Sequence, residues 1–282
     1  MTITHSPSPF GRVLCAMITP FTAEGTLDRA GAQELAAHLV AEGCDGLVLN
    51  GTTGESPTTT DGEKAELITA VREAVGARIP LIAGVGGADA VLVVAPYYSR
   101  PPQEAVAAHF RAVADASGLP VLLYDIPGRT GTRIDPETIL RLAGHPRIVG
   151  VKDCSYDLLG TQKVLSRAEL AYYAGCDEHN LALYAIGAAG CISTVANAAP
   201  RHIRAVLDAF DAADTARARQ LQLRATPLIE SMMAAGLPGT VTAKALLSRL
   251  GLPAGPVRAP LLPASPRATA ELHARFEELT ES

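Results

Sequence analysis

One lysine is set apart by its placement. Lys152 closes the apolar run "IVGVKD" at 148–153, in a 282-residue chain whose other lysines are Lys64, Lys163 and Lys244. An ammonium at the end of an apolar strand loses water, which lowers its pKa. The neutral amine so obtained can attack a ketone and form a Schiff base, which arginine cannot do. Tyr124 in "LLYDIPGRTG" at 122–131 suits a general acid and base for the carbinolamine, with Thr52 and Tyr98 as relay partners. Arg129 lies in the same stretch, in a Gly-flanked turn where its fork of donors would hold a substrate carboxylate. "GTTGE" at 51–55 offers backbone N–H groups and hydroxyls to another carboxylate. Each group also has a plainer reading. Lys152 can be the ion-pair partner of Asp153 or Glu55, Tyr97 and Tyr98 packing residues, Arg129 a surface cation, and "GTTGE" a tight turn.

These residues span a hundred positions, so an architecture must bring them together. Strand-like runs at 13–18, 46–49, 81–85, 90–95, 121–124, 148–152, 171–174 and 190–194 alternate with amphipathic helices. The helix starts are readable. Asp28 precedes one, Thr60 and Glu63 form a capping box, Pro102 opens a third, and Asp135-Pro136-Glu137 supplies a cap, a first-turn proline and an acid. Eight such units predict an α/β fold, a (β/α)8 barrel of TIM type with a parallel sheet. An open doubly wound sheet would be favoured by a GxGxxG turn after the first strand, and "MITPFTAEG" has none. In a barrel the C-terminal strand ends share one face, where active sites lie. "NGTTGES", "PYYSRP", "YDIPGRTG" and "VKD" all follow strands and would meet there. After about residue 211 the alternation stops, and 213–235, 240–250 and 267–279 read as helices. The predicted division is a catalytic barrel at 1–212 and a helical extension at 213–282.

One segment conflicts with this plan. "IPLIAGVGGADAVLVVAPYY" at 79–98 holds two strand runs separated by little more than Gly86-Gly87. Such a pair normally reads as a hairpin, whereas parallel neighbours need a crossover of about a dozen residues. A hairpin would reverse every later strand and send Tyr124, Arg129 and Lys152 to the face opposite "GTTGES". The expectation is therefore a barrel lacking the helix between strands 3 and 4, with all strands still parallel. Gly86-Gly87 or part of the third run would give up strand structure to make the link. The uncovered wall would expose apolar strand surface. One amphipathic helix buries several kcal/mol of apolar area at about 25 cal/mol per Å², comparable to a domain's margin. Weak or absent activity is the expected consequence.

Composition excludes several classes. A net charge of −5 and 4% aromatics without Trp give no support to a nucleic-acid partner or an anionic membrane. Hydrophobic content of 48% with 19% charge is that of a globular protein with a large core. No window approaches the roughly 18 apolar residues of a membrane helix. The first residues lack a basic-then-apolar export pattern, so a cytoplasmic location is expected. Five scattered cysteines fit free thiols in a reducing compartment. The histidines show neither HxH nor HExxH, so no metal site is expected.

"GTTGESP", "PYYSRPPQE", "LLYDIPGRTG" and "IVGVKD" together resemble the dihydrodipicolinate synthase / N-acetylneuraminate lyase family of class I aldolase-type enzymes. The likeness runs from about Arg12 into "LGLPAGPVRAPLLPA", and the Tyr-Tyr pair and Arg129 resemble the dihydrodipicolinate synthase branch. It implies a lyase that condenses pyruvate with L-aspartate 4-semialdehyde, in lysine and diaminopimelate biosynthesis, with no cofactor. It implies Lys152 as the Schiff-base lysine, Tyr124, Thr52 and Tyr98 as proton relay, Thr53 and the Ile192 backbone at the pyruvate, and Arg129 at the aldehyde's carboxylate. A Tyr98-type residue reaches a neighbouring subunit's site in that family, which implies a homodimer or homotetramer. The alternatives are a related aldolase, lyase or dehydratase acting on 2-keto sugar acids, and a catalytically defective member. The chain departs from the family at the absent helix, at Tyr156 in "KDCSYD" and at Cys176 in "GCDE". The regulatory lysine site of some members uses the start of that helix, so feedback inhibition is not expected.

Overall fold

The computed structural model describes residues 5–84, 87–233 and 236–281. Eight strands, β1 (Val13–Ala16), β2 (Gly46–Leu49), β3 (Leu81–Ala83), β4 (Ala90–Val94), β5 (Val121–Asp125), β6 (Ile148–Asp153), β7 (Ala171–Ala174) and β8 (Gly190–Ser193), form a closed barrel. Every pair is parallel, and β8 closes onto β1 through Leu14 and Ile192. The sequence places the strands correctly to within two residues at each end. Inward-facing Leu14, Val48, Ile82, Leu122, Tyr173 and Ile192 fill the lumen, so the barrel is a packed core rather than a pore.

Helices clad the outside. They are α1 (Arg29–Ala41), α2 (Asp61–Val75), α3 (Gln103–Ser117), the single turn α4 (Pro127–Thr130), α5 (Pro136–Leu142), α6 (Leu158–Leu165), α7 (Asn180–Ala185) and α8 (Pro200–Asp211). Their starts follow local chemistry. Asp28 accepts from the Gly31 N–H at the head of α1, and Thr60 and Glu63 complete the capping box of α2. Pro136 opens α5 as expected, but the Asp135 side chain makes no cap. Beyond α8 run α9 (Thr215–Met233), α10 (Gly239–Arg249) and α11 (Pro266–Thr280). Leu221, Leu228, Met232, Leu246 and Leu272 of these helices pack in one core with Leu35, Leu39, Ile203 and Leu207 of α1 and α8.

Between β3 and β4 there is no helix among the described residues. Ile82 pairs with Ala90 and Ala83 with Val91, so the strands are parallel and no hairpin forms. The strand ends at Ala83, and Gly84 belongs to the link; Val85 and Gly86 lie outside the described residues, and Gly87 turns at a φ of 92°. This short parallel link is possible because β3 has only three residues. The chain must return by about one strand step and sidestep about 4.8 Å, well within the reach of six residues. Asp89 holds the return in place. Its N–H donates to Leu81 O at 2.8 Å, and its carboxylate accepts the Leu81 N–H at 2.8 Å and Arg72 of α2 at 2.6 Å. The expected loss of outer cover shows at one residue: outward-facing Val93 is half-buried, whereas its β5 partner Leu123 is fully buried, and half-buried Leu92 faces the lumen.

Candidate active site

Lys152 and Tyr124 are cross-strand partners in the β5–β6 register, and the Lys152 Nζ sits 4.5 Å from the centre of the Tyr124 ring. Both are buried at the C-terminal end of the barrel. The plainer reading of Lys152 as half of an ion pair does not hold. Asp153 points away, accepting from Tyr172 Oη and Thr161 Oγ1 at 2.8 Å each. Glu55 pairs instead with Lys244 at 2.6 Å, both almost fully buried. Among the described residues Lys152 makes no ion pair.

The charge state of Lys152 differs from the expectation. Burial pulls its pKa down, but Tyr124, Cys154, Cys176 and Asp177 pull it up, and the net displacement is upward. The resting side chain is therefore an ammonium, and a proton must leave before the amine can attack a carbonyl. The sequence expectation weighed desolvation alone, because Tyr124, Cys176 and Asp177 come from other strands and loops and Cys154 turns toward Lys152 only past the strand's end. Tyr124 is displaced upward too, chiefly by burial, with Lys152 and a hydrogen bond to Thr52 opposing. Its hydroxyl is neutral at physiological pH.

The other expected residues divide. Thr52 reaches Tyr124, and its carbonyl accepts from Thr240 of α10 at 3.2 Å, which braces the loop after β2. Thr53 Oγ1 lies 3.4 Å from Thr194 Oγ1, just past β8, where Ile192 is buried. Arg129 is exposed on α4, lowers the Tyr124 pKa by its charge, and carries no ion pair among the described residues. Tyr98 is not brought to the group. It is 95% exposed, at a positive φ of 67°. Of the six described non-glycine residues at positive φ, five (Asn50, Glu55, Tyr98, Arg100 and Tyr156) lie in the loops after β2, β4 and β6. Strain of this kind gathers where a surrounding structure aims side chains.

Three supporting groups were not read from the sequence. Asp177 accepts from Ser193 Oγ, from the Thr194 and Val195 N–H groups at 3.0 and 3.1 Å, and from Asn180. It thereby fixes the loop that meets Thr53. Gly175 leaves room for its neighbours, because a Cβ there would lie 2.5 Å from Cys154 Sγ and 3.0 Å from Lys152 Cγ. Lys244 binds Glu55 and Pro256 O, and stands 4.0 Å from the Phe21 ring; burial, against the pull of Glu55, brings it down to about 8. Its only signal in the sequence was the scarcity of lysine.

The Dihydrodipicolinate synthetase family matches residues 9–88 and 86–279. The chain belongs to this family. It is 70% identical to 4-hydroxy-tetrahydrodipicolinate synthase 1 of Streptomyces coelicolor, over 99% of this chain and 97% of that relative. It is 49% identical to 4-hydroxy-tetrahydrodipicolinate synthase 2 of the same organism, over 96% of each. The crystal structure of a dihydrodipicolinate synthase from Bacillus anthracis, 34% identical, superposes with a TM-score of 0.92 and covers 96% of this chain and 99% of that one. The two matched segments of the family meet at the β3–β4 link. The alignment with the first relative runs over 296 positions against 282 residues here, so at least fourteen have no residue in this chain. That is about the length of a helix with its turns. No helix among the described residues is long and apolar enough to cross a membrane.

Proposed function

We propose that this chain condenses pyruvate with L-aspartate 4-semialdehyde to 4-hydroxy-tetrahydrodipicolinate, through a Schiff base on Lys152. The observation that carries the reading is a buried lysine with no ion-pair partner among the described residues, packed on a neutral tyrosine at the C-terminal barrel face. The Lys152 ammonium first gives up its proton. The amine adds to the pyruvate ketone to give a carbinolamine, and loss of water leaves the imine. Removal of a methyl proton then yields an enamine whose carbon attacks the aldehyde. The amino group of the second substrate adds to the imine carbon, closing the ring and releasing the lysine. Tyr124 carries protons in these steps, with Thr52 on its hydroxyl. Thr53 and the Ile192 backbone receive the pyruvate carboxylate, and Arg129, exposed and without an ion pair among the described residues, receives that of the aldehyde.

Tyr98 completes the relay only from a second copy, because in its own chain it faces solvent. We therefore infer a homodimer or homotetramer, for which exposed Tyr97 and Tyr98 supply an anchor. A cytoplasmic setting fits five cysteines with no disulfide. The barrel, 1–212, holds all the proposed site residues, and 213–282 braces it through Thr240 and Lys244. A second reading, a member with impaired catalysis, is supported by the half-buried outer face of β4 at Val93.

A substrate screen separates these readings. Turnover with pyruvate and L-aspartate 4-semialdehyde, and none with 2-keto sugar acids, is the expected result. Cleavage of a 2-keto sugar acid instead would reassign the substrate. No turnover with either would favour the impaired member. Arg129→Ala should weaken kcat/KM for the aldehyde by about 2–3 kcal/mol, the worth of a charged hydrogen bond, with the melting temperature unchanged. A fall in melting temperature with unchanged kinetics would make Arg129 a structural residue.

A further inference from the structure

Two cysteines stand beside Lys152 without a part in the proposed chemistry. Cys154 follows β6 and Cys176 follows β7. These strands are neighbours, with Asp153 opposite Ala174 and the Gly175 N–H donating to Asp153 O at 2.8 Å. That register sets Cys154 opposite Gly175, so Cys176 is its diagonal neighbour, and one step along strands spaced about 4.8 Å gives about 6 Å, within the Cα separation that a disulfide spans. Cys154 Sγ lies against Gly175, and the two thiols are hydrogen-bonded. Cys154 is buried, whereas Cys176 is partly exposed beside Tyr156, whose hydroxyl donates to Glu178.

We propose that Cys154 and Cys176 form a peroxide-responsive dithiol, oxidised to a disulfide that ties the loops after β6 and β7 together beside Lys152. Cys176 is the attacking thiol. Its pKa lies below the ordinary thiol value chiefly because Cys154 donates a hydrogen bond to it, against the effect of burial. Its thiolate attacks one oxygen of hydrogen peroxide, forming a sulfenic acid and a hydroxide that takes a proton to become water. The Cys154 sulfur then displaces hydroxide from the sulfenic sulfur, and its own proton leaves with that hydroxide as a second water. Two thiols and one peroxide thus give one disulfide and two waters. Cys15 and Cys44 provide an internal contrast. They are also hydrogen-bonded to each other, but both are buried in the barrel wall, where peroxide has no access. Cys191 is buried there too.

The consequence for Lys152 rests on the Schiff-base reading. Asp177 follows Cys176 directly and fixes Thr194 against Thr53, so a link at Cys176 shifts the pyruvate side of the site. The linked form should trap pyruvate severalfold more slowly, and a dithiol reductant should restore it.

The test treats the full chain with hydrogen peroxide, then counts thiols after denaturation and maps peptides without reduction. Two of the five thiols should disappear, with the Cys154 and Cys176 peptides joined and the link reversed by reductant. In Cys154→Ser, dimedone should capture a sulfenic acid at Cys176, and in Cys176→Ser no disulfide should form. An intact count of five thiols, or a link between Cys15 and Cys44, would overturn the proposal. A linked pair with unchanged trapping would overturn only its effect on Lys152. If the Schiff-base reading itself fails, the reduced chain traps no pyruvate while the link still forms.

Discussion

The β3–β4 and β5–β6 pairs do the same job in the barrel by different means. β3 and β4 share two register pairs, a six-residue link and an outer face half-buried at Val93, held at one end by Asp89. β5 and β6 share five register pairs, and Leu123 and Val151 pack with Phe110 of α3 and Ile139 of α5. The first pair shows that neighbouring strands and a few backbone anchors suffice to close a barrel without a helix. The second shows what a reactive site demands in addition. Tyr124 and Lys152 must hold a contact of 4.5 Å, and they lie where both strands are long and covered from outside. The missing cover therefore falls beside the site's supporting loops and spares its centre.

The largest effect should come from the centre of the covered pair. Tyr124→Phe removes the hydroxyl and keeps the ring against Lys152, so kcat should fall by about 10²–10⁴ with the fold intact. In the parent chain the rate of imine formation should rise with pH across neutrality, because Lys152 rests as an ammonium with a raised pKa. A Tyr124→Phe variant with unchanged kcat would remove the hydroxyl from the relay.

Stability should differ between the two regions in the same sense. Leu123→Ala, in the fully buried β5, should cost about 2–5 kcal/mol. Val93→Ala, in the half-buried β4, should cost less than about 1.5 kcal/mol because much of its surface already meets water. Amide hydrogen exchange should show β4 opening locally while β5 exchanges only on global unfolding. Equal costs and equal protection would mean that the β3–β4 wall is supported as well as its counterpart.

A smaller effect concerns a carboxyl on the covered side. Burial, aided by the nearby Asp153, raises Asp125 from 3.8 to about 7, against the hydrogen bond from the Ile134 N–H. The folded chain keeps this proton while the unfolded chain loses it between about pH 4 and 7. Stability from this group therefore falls as pH rises through that window, and the full penalty is present above it. Asp125→Asn keeps an acceptor for Ile134 and removes the titration. It should stabilise the chain above pH 7 by about 1–3 kcal/mol and flatten the slope below. An unchanged slope would place the titration elsewhere.

Much of this was legible in the sequence because it depends on local pattern. Alternating runs and caps such as Thr60–Glu63 give the elements, and the bare spacing around Gly86-Gly87 reveals the lost helix. The parallel outcome there followed from requiring Lys152, Tyr124 and "GTTGES" to share one face. Contacts between loops far apart in the chain were not legible. Lys244 meets Glu55 across some 190 positions, and Asp177 holds Thr194 through a fold that no local pattern encodes. The charge state of Lys152 was misjudged for the same reason, since Cys154, Cys176 and Asp177 lie on other loops or past the strand's end.

The central claim is that Lys152 carries the chemistry in a barrel lacking one helix. Borohydride reduction of the full chain in the presence of pyruvate, followed by peptide mapping, tests it most directly. One pyruvyl unit should be fixed on the peptide containing Lys152, and Lys152→Arg should abolish it without loss of fold. Labelling at Lys64, Lys163 or Lys244, or none in a preparation that turns over substrate, would contradict the account.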